Sequence, residues 1–291
     1  MSQDWGATPV SETKTPLELP PARPTTWSVD RLPWHKLERT SVADDETLFY
    51  MVATASFVEI TTDLYTNNLL DHYRGAPPLL EWLVRHWQPE ELQHGVALRR
   101  YVETVWPAFP WEEAYNAFFA EYAALCNESA LEPSHSGEMA ARCIVETGTS
   151  SYYTMLRERS PEPLLKTIAG HIRNDEVGHY KYFYHAFLHY AREEKSSRRQ
   201  TMGALWRRIR EANGEDAYVA FRHVHAFHTH RPEHVDEDYR AFRRNLDEAL
   251  QKHFPFEMAV RMTLKPLELP AWAERTSTAL LTPLARRFVA S

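Results

Sequence analysis

The sequence is poor in the residues that staple or punctuate small folds. Its only cysteines, Cys126 and Cys143, are too few for a disulfide framework and lack the C-x-x-C spacing of a zinc or rubredoxin-type site. A reducing cytoplasm is therefore the expected compartment. Nine glycines in 291 residues leave no Gly-rich phosphate loop, which sets aside the common nucleotide-binding motifs. No run of about 18 apolar residues occurs, so no membrane span is expected. The N-terminal stretch has no apolar segment of the secretory type, and its Pro and Thr content reads as a flexible leader over residues 1–28. Positive charge is not in excess either. A net charge of −7 argues against a nucleic-acid partner.

What is present is helical periodicity. Aromatic residues make up 12% of the chain, a composition suited to long packed helices. From about residue 45 onward, apolar residues recur at helical spacing, and no segment alternates with a period of two, so strands are not expected. ADDETLFYMVATASFVEITTDLYTNNLLDHYRG opens on acidic residues and ends in Arg-Gly, a helix start and stop. In PLLEWLVRHWQPEELQHGVALRRYVETVW, Pro89 predicts a break or kink, or the first turn of a fresh helix. WEEAYNAFFAEYAALCNESAL and SHSGEMAARCIVETGTSSYYTMLRERS follow, the latter ended by Ser160–Pro161–Glu162–Pro163. PLLKTIAGHIRNDEVGHYKYFYHAFLHYAREEK predicts an unusually long helix, and three more helical stretches come after it. The fold class is all-α, a bundle. The helical domain is expected over residues 29–261, with 262–291 trailing across its surface.

Four of these helices carry acids inside otherwise apolar runs. Glu59 lies in ATASFVEITT and Glu146 in AARCIVETGT, while EELQHG holds Glu91-x-x-His94 and DEVGH holds Glu176-x-x-His179. On a helix, residues three apart share a face, so each Glu–His pair is able to reach one ion. The spacing from Glu59 to Glu91 is 32 residues, and from Glu146 to Glu176 it is 30. Two antiparallel helices of about 20 residues bring positions so spaced to one height in a bundle. Four carboxylates and two imidazoles aimed at one point are the ligand set of di-iron and di-manganese carboxylate proteins. Without metal, four acids in an apolar bundle would repel and take up protons, at a cost of several kcal/mol.

With those residues in place, the sequence resembles the acyl-ACP desaturases, the soluble di-iron branch of the ferritin-like superfamily. WLVRHWQPEELQHGVALRRYV looks like that family's Trp-rich segment ending in EENRHG, and IAGHIRNDEVGH is similar to its second motif leading into DEKRHE. VEITTDLYTNNLL follows its first helix, where the ligand Glu precedes a Tyr by six residues, here Tyr65. The likeness covers about residues 45–195. It implies a ferritin-like four-helix bundle with additional flanking helices, holding two iron ions, with manganese possible. Glu59 and Glu146 would each chelate one metal, Glu91 and Glu176 would bridge, and His94 and His179 would supply nitrogen. Thr149 matches a threonine near the family's oxygen-binding face. Its other reading is a hydroxyl bonded to its own helix backbone. Asp175 matches an acid that holds a ligand His by its outer nitrogen. A Trp completes that chain in the family, and the spacing leaves Trp27 and Trp34 both open.

One departure concerns His171. The arylamine oxygenases of the same superfamily have an extra His ligand one turn before the second bridging Glu. Here that position is Ile172, and His171 would need a π-bulge to come into register. Otherwise it is a buried or surface histidine.

Other features have two readings each. Residues 222–234 hold five histidines, irregularly spaced and without interleaved carboxylates, which suits a structural role better than a metal site. Tyr180, Tyr182, Phe183, Tyr184 and Phe187 suit an acyl channel or plain core. Phe57, Val145 and Ile172 adjoin the expected ligands and would shape a pocket. Cys143 reads as a small buried side chain. Residues 192–210 gather seven Arg or Lys, either a solvated edge or a docking patch for an acidic partner.

The resemblance implies an oxygen-dependent di-iron oxidase acting on an unactivated C–H bond of an apolar substrate, most directly an acyl chain on acyl carrier protein. A ferredoxin-like external electron donor is expected, because no flavin, haem or Fe–S ligation motif is visible. A homodimer is implied as well. A hydroxylase or N-oxygenase of specialised metabolism fits the same ligands, as does a non-catalytic ferritin-like iron-binding protein.

Overall fold

The computed structural model describes residues 17–21, 25–126, 131–211, 215–229 and 232–289. The described residues are helical, with no strand among them. In chain order the helices are α1 Glu46–Ile60, α2 Thr62–His72, α3 Pro77–Trp82, α4 Gln88–Val105, α5 Trp111–Leu125 and α6 His135–Arg159. They continue as α7 Pro163–Glu193, α8 Arg198–Glu211, α9 Glu215–Thr229, α10 Val235–His253, α11 Phe256–Leu264 and α12 Ala271–Val289.

Helix starts follow from local chemistry. Asp45 accepts from the Leu48 amide at 2.9 Å to open α1, and Ser134 accepts from the Gly137 amide at 3.1 Å to open α6. The buried Glu162 accepts from both the Leu164 and Leu165 amides ahead of α7, with Pro163 in the first turn. Each satisfies donors that a helix start leaves unpaired.

The segment expected as one helix from Ala43 to Gly75 is two. It turns at Thr61, where the Thr61 hydroxyl donates to Val58 O at 2.6 Å and the Thr62 hydroxyl to Glu59 O at 2.9 Å. Such back-bonding competes with the helix ladder. Gly75, at φ +93°, ends the following turn in a conformation that side chains disfavour. Pro89 falls in the first turn of α4 and does not break the chain's helical course. Ahead of it, Leu83–Trp87 form a π turn that joins α3 to α4. The wider turn changes which carbonyls seek a donor just where proline has none to give.

α1 packs along α4, and α6 along α7, while α4 also meets α7. Both pairs are antiparallel. Trp106, just past α4, donates to Ala43 O ahead of α1 at 2.9 Å, and three residues join α6 to α7. The remaining helices flank these four: α8 and α11 lie on α6, α9 on α1 and α5, and α12 on α11. Leader residue Trp27 is buried. α11 runs across position 262, and the C-terminal stretch forms the further helix α12.

The apolar interior forms two clusters, and their order along each helix locates the site. On α4, Ala97–Val105 belong to one cluster, and Trp82–Trp87 just ahead belong to the other. On α6, Tyr153–Leu156 fall in the first and Met139–Ile144 in the second; on α7, Leu164–Ile172 and Tyr180–Tyr190 divide the same way. α1 gives Leu48–Phe57 to the first, and Leu69 on α2 joins the second. Between the two, on every helix, sits a charged residue: Glu59, Glu91 and His94, Glu146, and Glu176 and His179. The centre is a polar layer between two apolar ones. Gly95 lets α1 approach this layer, since a Cβ there would lie 2.4 Å from the Ile60 side chain and 2.7 Å from its amide nitrogen.

Candidate metal centre

All six expected ligands converge. Glu59, Glu91, His94 and Glu176 form one buried group, and Glu91, Glu146, Glu176 and His179 form a second, with ligand atoms in each within 4.8 Å of one another. Glu91 and Glu176 belong to both. The groups also divide by helix: α1 and α6 give a lone carboxylate each, α4 and α7 a Glu–His pair each.

Each imidazole is aimed from behind. His94 donates from Nε2 to Asp175 Oδ2 at 3.2 Å, and Trp27 donates its indole N–H to the same oxygen at 2.7 Å. Trp27 is therefore the indole on Asp175, whereas Trp34 donates to Val29 O. His179 donates from Nε2 to Glu90 Oε2 at 2.9 Å. Since both outer nitrogens donate, each ring turns its Nδ1 inward, an N–H when the ring is protonated and a lone pair when it is neutral. His179 Nδ1 lies 2.9 Å from Glu91 Oε1, and His94 Nδ1 lies 3.2 Å from Glu176 Oε1. An Nδ1 this close to a carboxylate calls for positive charge there, a proton or a metal ion.

The donor set passes that test. His94 Nδ1, His179 Nδ1, Glu146 Oε2 and Glu176 Oε1 are buried without a hydrogen bond of acceptable geometry. Buried polar atoms are rarely left so, and here all four point into the same layer. Carboxylate oxygens with imidazole nitrogens suit iron or manganese, and four carboxylates balance two divalent cations.

Protons stand in for cations when no metal is bound. Burial, then the Glu176 charge, holds Glu91 well above the usual carboxylate range. The same two causes push Glu146 up to about 8. For Glu176 burial also raises the pKa, but hydrogen bonding and charge from His94 outweigh it and hold the carboxyl at about 2. Burial alone would lower both histidines. Asp175, Glu176 and Glu59 instead raise His94 well above its ordinary value, and Glu146, Glu90 and Glu91 do the same for His179.

Thr149 reaches both its own helix backbone and the ligand layer. Its hydroxyl lies 3.3 Å from the carbonyls of Val145 and Glu146 and donates to Glu176 Oε2 at 2.6 Å. His171 belongs to neither ligand group. α7 has no π turn there, and His171 stacks on Trp27 at 5.1 Å. Phe57 and Ile172 are fully buried, Val145 partly. Tyr182 stacks on Trp82 at 4.4 Å, and Tyr180 donates to Met262 O at 2.7 Å, so these aromatics serve as core. Tyr65 is partly buried against both apolar clusters, and Cys143 is fully buried.

In the histidine-rich run, His223 pairs with Glu121 at 2.8 Å and His225 with the Tyr50 hydroxyl at 3.0 Å, while His230 lies outside the described residues. No further group able to hold a metal forms among the described residues.

Two residues escaped the sequence reading. Glu90 was legible, for it precedes Glu91 as Asp175 precedes Glu176. Tyr153 was not: its hydroxyl donates to Glu59 Oε1 from two turns beyond Glu146, and a lone buried Tyr on a helix carries no signal of that partner.

Residues 192–210 form the end of α7 and most of α8. Arg207 pairs with Glu132 at 2.5 Å and Arg208 with Glu138 at 3.5 Å. Arg199, Met202, Trp206 and Arg210 share the outward face, with Met202 and Trp206 exposed by 55% and 58%. No helix among the described residues is long and apolar enough to cross a membrane.

No protein-family model matches the chain, and no curated protein matches it.

Proposed function

We propose that the chain is a ferritin-like di-iron oxidase that uses dioxygen to act on an unactivated C–H bond, with an acyl-ACP desaturase as its leading form. One observation carries the reading: two four-residue ligand groups share Glu91 and Glu176, and four of their donor atoms lie buried without partners. When bound, two iron ions, or manganese in their place, would supply redox chemistry toward dioxygen. The chain's own residues do the rest. Asp175 and Glu90 hold the two imidazoles with Nδ1 inward, and the Thr149 hydroxyl is placed to pass a proton at Oγ1. Phe57 and Ile172 keep water from the layer.

The substrate class is an apolar chain presented on an acidic carrier protein. Support comes from the outward face of α8, where Arg199 and Arg210 bracket two exposed apolar side chains and have no ion-pair partner among the described residues. Electrons would come from a ferredoxin-like donor, the compartment would be the cytoplasm, and the assembly a homodimer.

The test is anaerobic loading with ferrous iron, then reductant, dioxygen and acyl-ACP, with products read by mass spectrometry. Two irons per chain and an unsaturated product are expected. A hydroxylated product moves the protein to the hydroxylase or N-oxygenase reading. A reducible centre that never turns over acyl-ACP sinks the substrate assignment, and a cage-sized particle in solution favours iron storage.

A further inference from the structure

We infer that the two halves of the centre are inequivalent and fill in order. The position bounded by Glu59 and His94 takes its ion first, and the position bounded by Glu146 and His179 takes the second. The inference rests on the dinuclear reading above and concerns what lies behind the ligands. Glu91 and Glu176 are common to both positions, so they cannot distinguish them. Only the terminal carboxylate and the histidine of each position differ.

At the first position both are held. Tyr153, itself 1% exposed, donates to Glu59 Oε1 and fixes that carboxylate with Oε2 turned toward His94. His94 is fixed by Asp175, and Asp175 in turn by the buried indole of Trp27 at 2.7 Å. The Trp27 and His94 rings are nearly parallel, 6.1 Å apart at 5°. Tyr153 and Trp27, which anchor Glu59 and Asp175 from behind, are both buried residues, and burial strengthens a hydrogen bond.

At the second position one ligand is held loosely and the other not at all. Glu90 fixes His179, but its own support is an exposed Thr25 hydroxyl at 3.1 Å. No hydrogen bond from outside the ligand layer reaches the Glu146 carboxylate among the described residues, and its Oε2 has no hydrogen-bond partner, only His179 Nδ1 at 3.7 Å. An ion binding there must first order Glu146, at a cost in side-chain entropy that Glu59 does not incur. Outer hydrogen bonds to ligands are typically worth roughly 10–100-fold in metal affinity, and the first position has more of them, two of them from the buried Tyr153 and Trp27.

The experiment is stepwise Mn²⁺ addition to the chelator-stripped full-length protein, followed by electron paramagnetic resonance and native mass spectrometry. After one equivalent, a single mononuclear Mn²⁺ species should dominate, and the second equivalent should convert it to a spin-coupled pair. Glu146→Ala should retain the first binding event within about threefold and lose the second, while Glu59→Ala should lose the first. Tyr153→Phe and Asp175→Asn should each weaken the first event by roughly 10–100-fold, with helical circular dichroism unchanged. Thr25→Ala should leave it in place. Wild-type protein that fills both positions together would overturn the inference while leaving the dinuclear reading intact, as would loss of the first event in Glu146→Ala. Failure to bind any metal would overturn both.

Discussion

Glu91-x-x-His94 and Glu176-x-x-His179 repeat one motif on two helices, yet the acid ahead of each motif meets different company. Asp175 reaches across to His94 and is gripped by the indole of Trp27, whereas Glu90 reaches across to His179 and is gripped only by an exposed Thr25. The lone carboxylates differ in the same sense. Tyr153 donates a hydrogen bond to Glu59, and among the described residues no hydrogen bond from outside the layer reaches Glu146. A ligand set that is nearly two-fold in sequence is thus one-sided in its supports. Ligand identity bears on which ions the layer takes, while the supports bear on how readily each half takes one.

The largest effect expected is that of pH, which acts on both halves together. In the metal-free protein His94, His179, Glu91 and Glu146 hold protons to higher pH than their ordinary values would allow, Glu146 up to about 8. Loading must release them, so affinity falls as pH falls. For every proton displaced, the product of the two binding constants should drop about tenfold per pH unit, so that several protons make this a large effect. Proton release in weakly buffered calorimetry measures it. The stability of the metal-free fold runs the other way. A raised folded pKa contributes stability below the unfolded value, 4.5 for the two carboxyls and 6.5 for the histidines, and loses it as pH rises through the folded one. Glu176, lowered to about 2, keeps its contribution above 4.5 and loses it only in acid. The stabilisation conferred by metal, read as the difference in Tm, should therefore widen from about pH 4.5 to 8.

Glu176→Ala comes next, since it removes a ligand shared by both halves. Metal affinity should fall on the order of a thousandfold, beyond the 10–100-fold typical of outer partners, as read by metal content after dialysis. Asp175→Asn and Glu90→Gln test the two supports against each other. The first should cost roughly 10–100-fold in affinity and the second only a few-fold, because the Trp27 indole behind Asp175 is buried while the Thr25 hydroxyl behind Glu90 is exposed. Equal losses would show that the two histidines are supported alike. The smallest effect expected on metal affinity is that of Gly95→Ala, which wedges α1 from α4 on the Glu59–His94 side alone. It should cost about 1–3 kcal/mol of stability in denaturant unfolding and displace the first position more than the second.

Much of the bundle was legible because it is written locally. The long α7, the Ser160–Pro163 break, the Asp45 and Ser134 starts and the Gly75 stop all follow from neighbouring residues. The Thr61 turn was not, since threonines inside an apolar run are tolerated in many helices. The π turn at Leu83–Trp87 was hidden too, for an extra residue per turn leaves no mark in composition, and the position where a π-bulge was considered, beside His171, is regular α-helix.

By itself the sequence determined the helices and the six charged residues set at matching heights within them, because helical spacing and the 30- and 32-residue intervals are properties of the chain alone. Only the tertiary structure decided that Trp27 rather than Trp34 backs Asp175, that Glu90 serves His179, and that Tyr153 anchors Glu59 while Glu146 stands without an anchor. Those contacts join residues 148, 89 and 94 positions apart. Across such distances the partner of a hydroxyl or a carboxylate is set by how helices pack, and no local pattern encodes it.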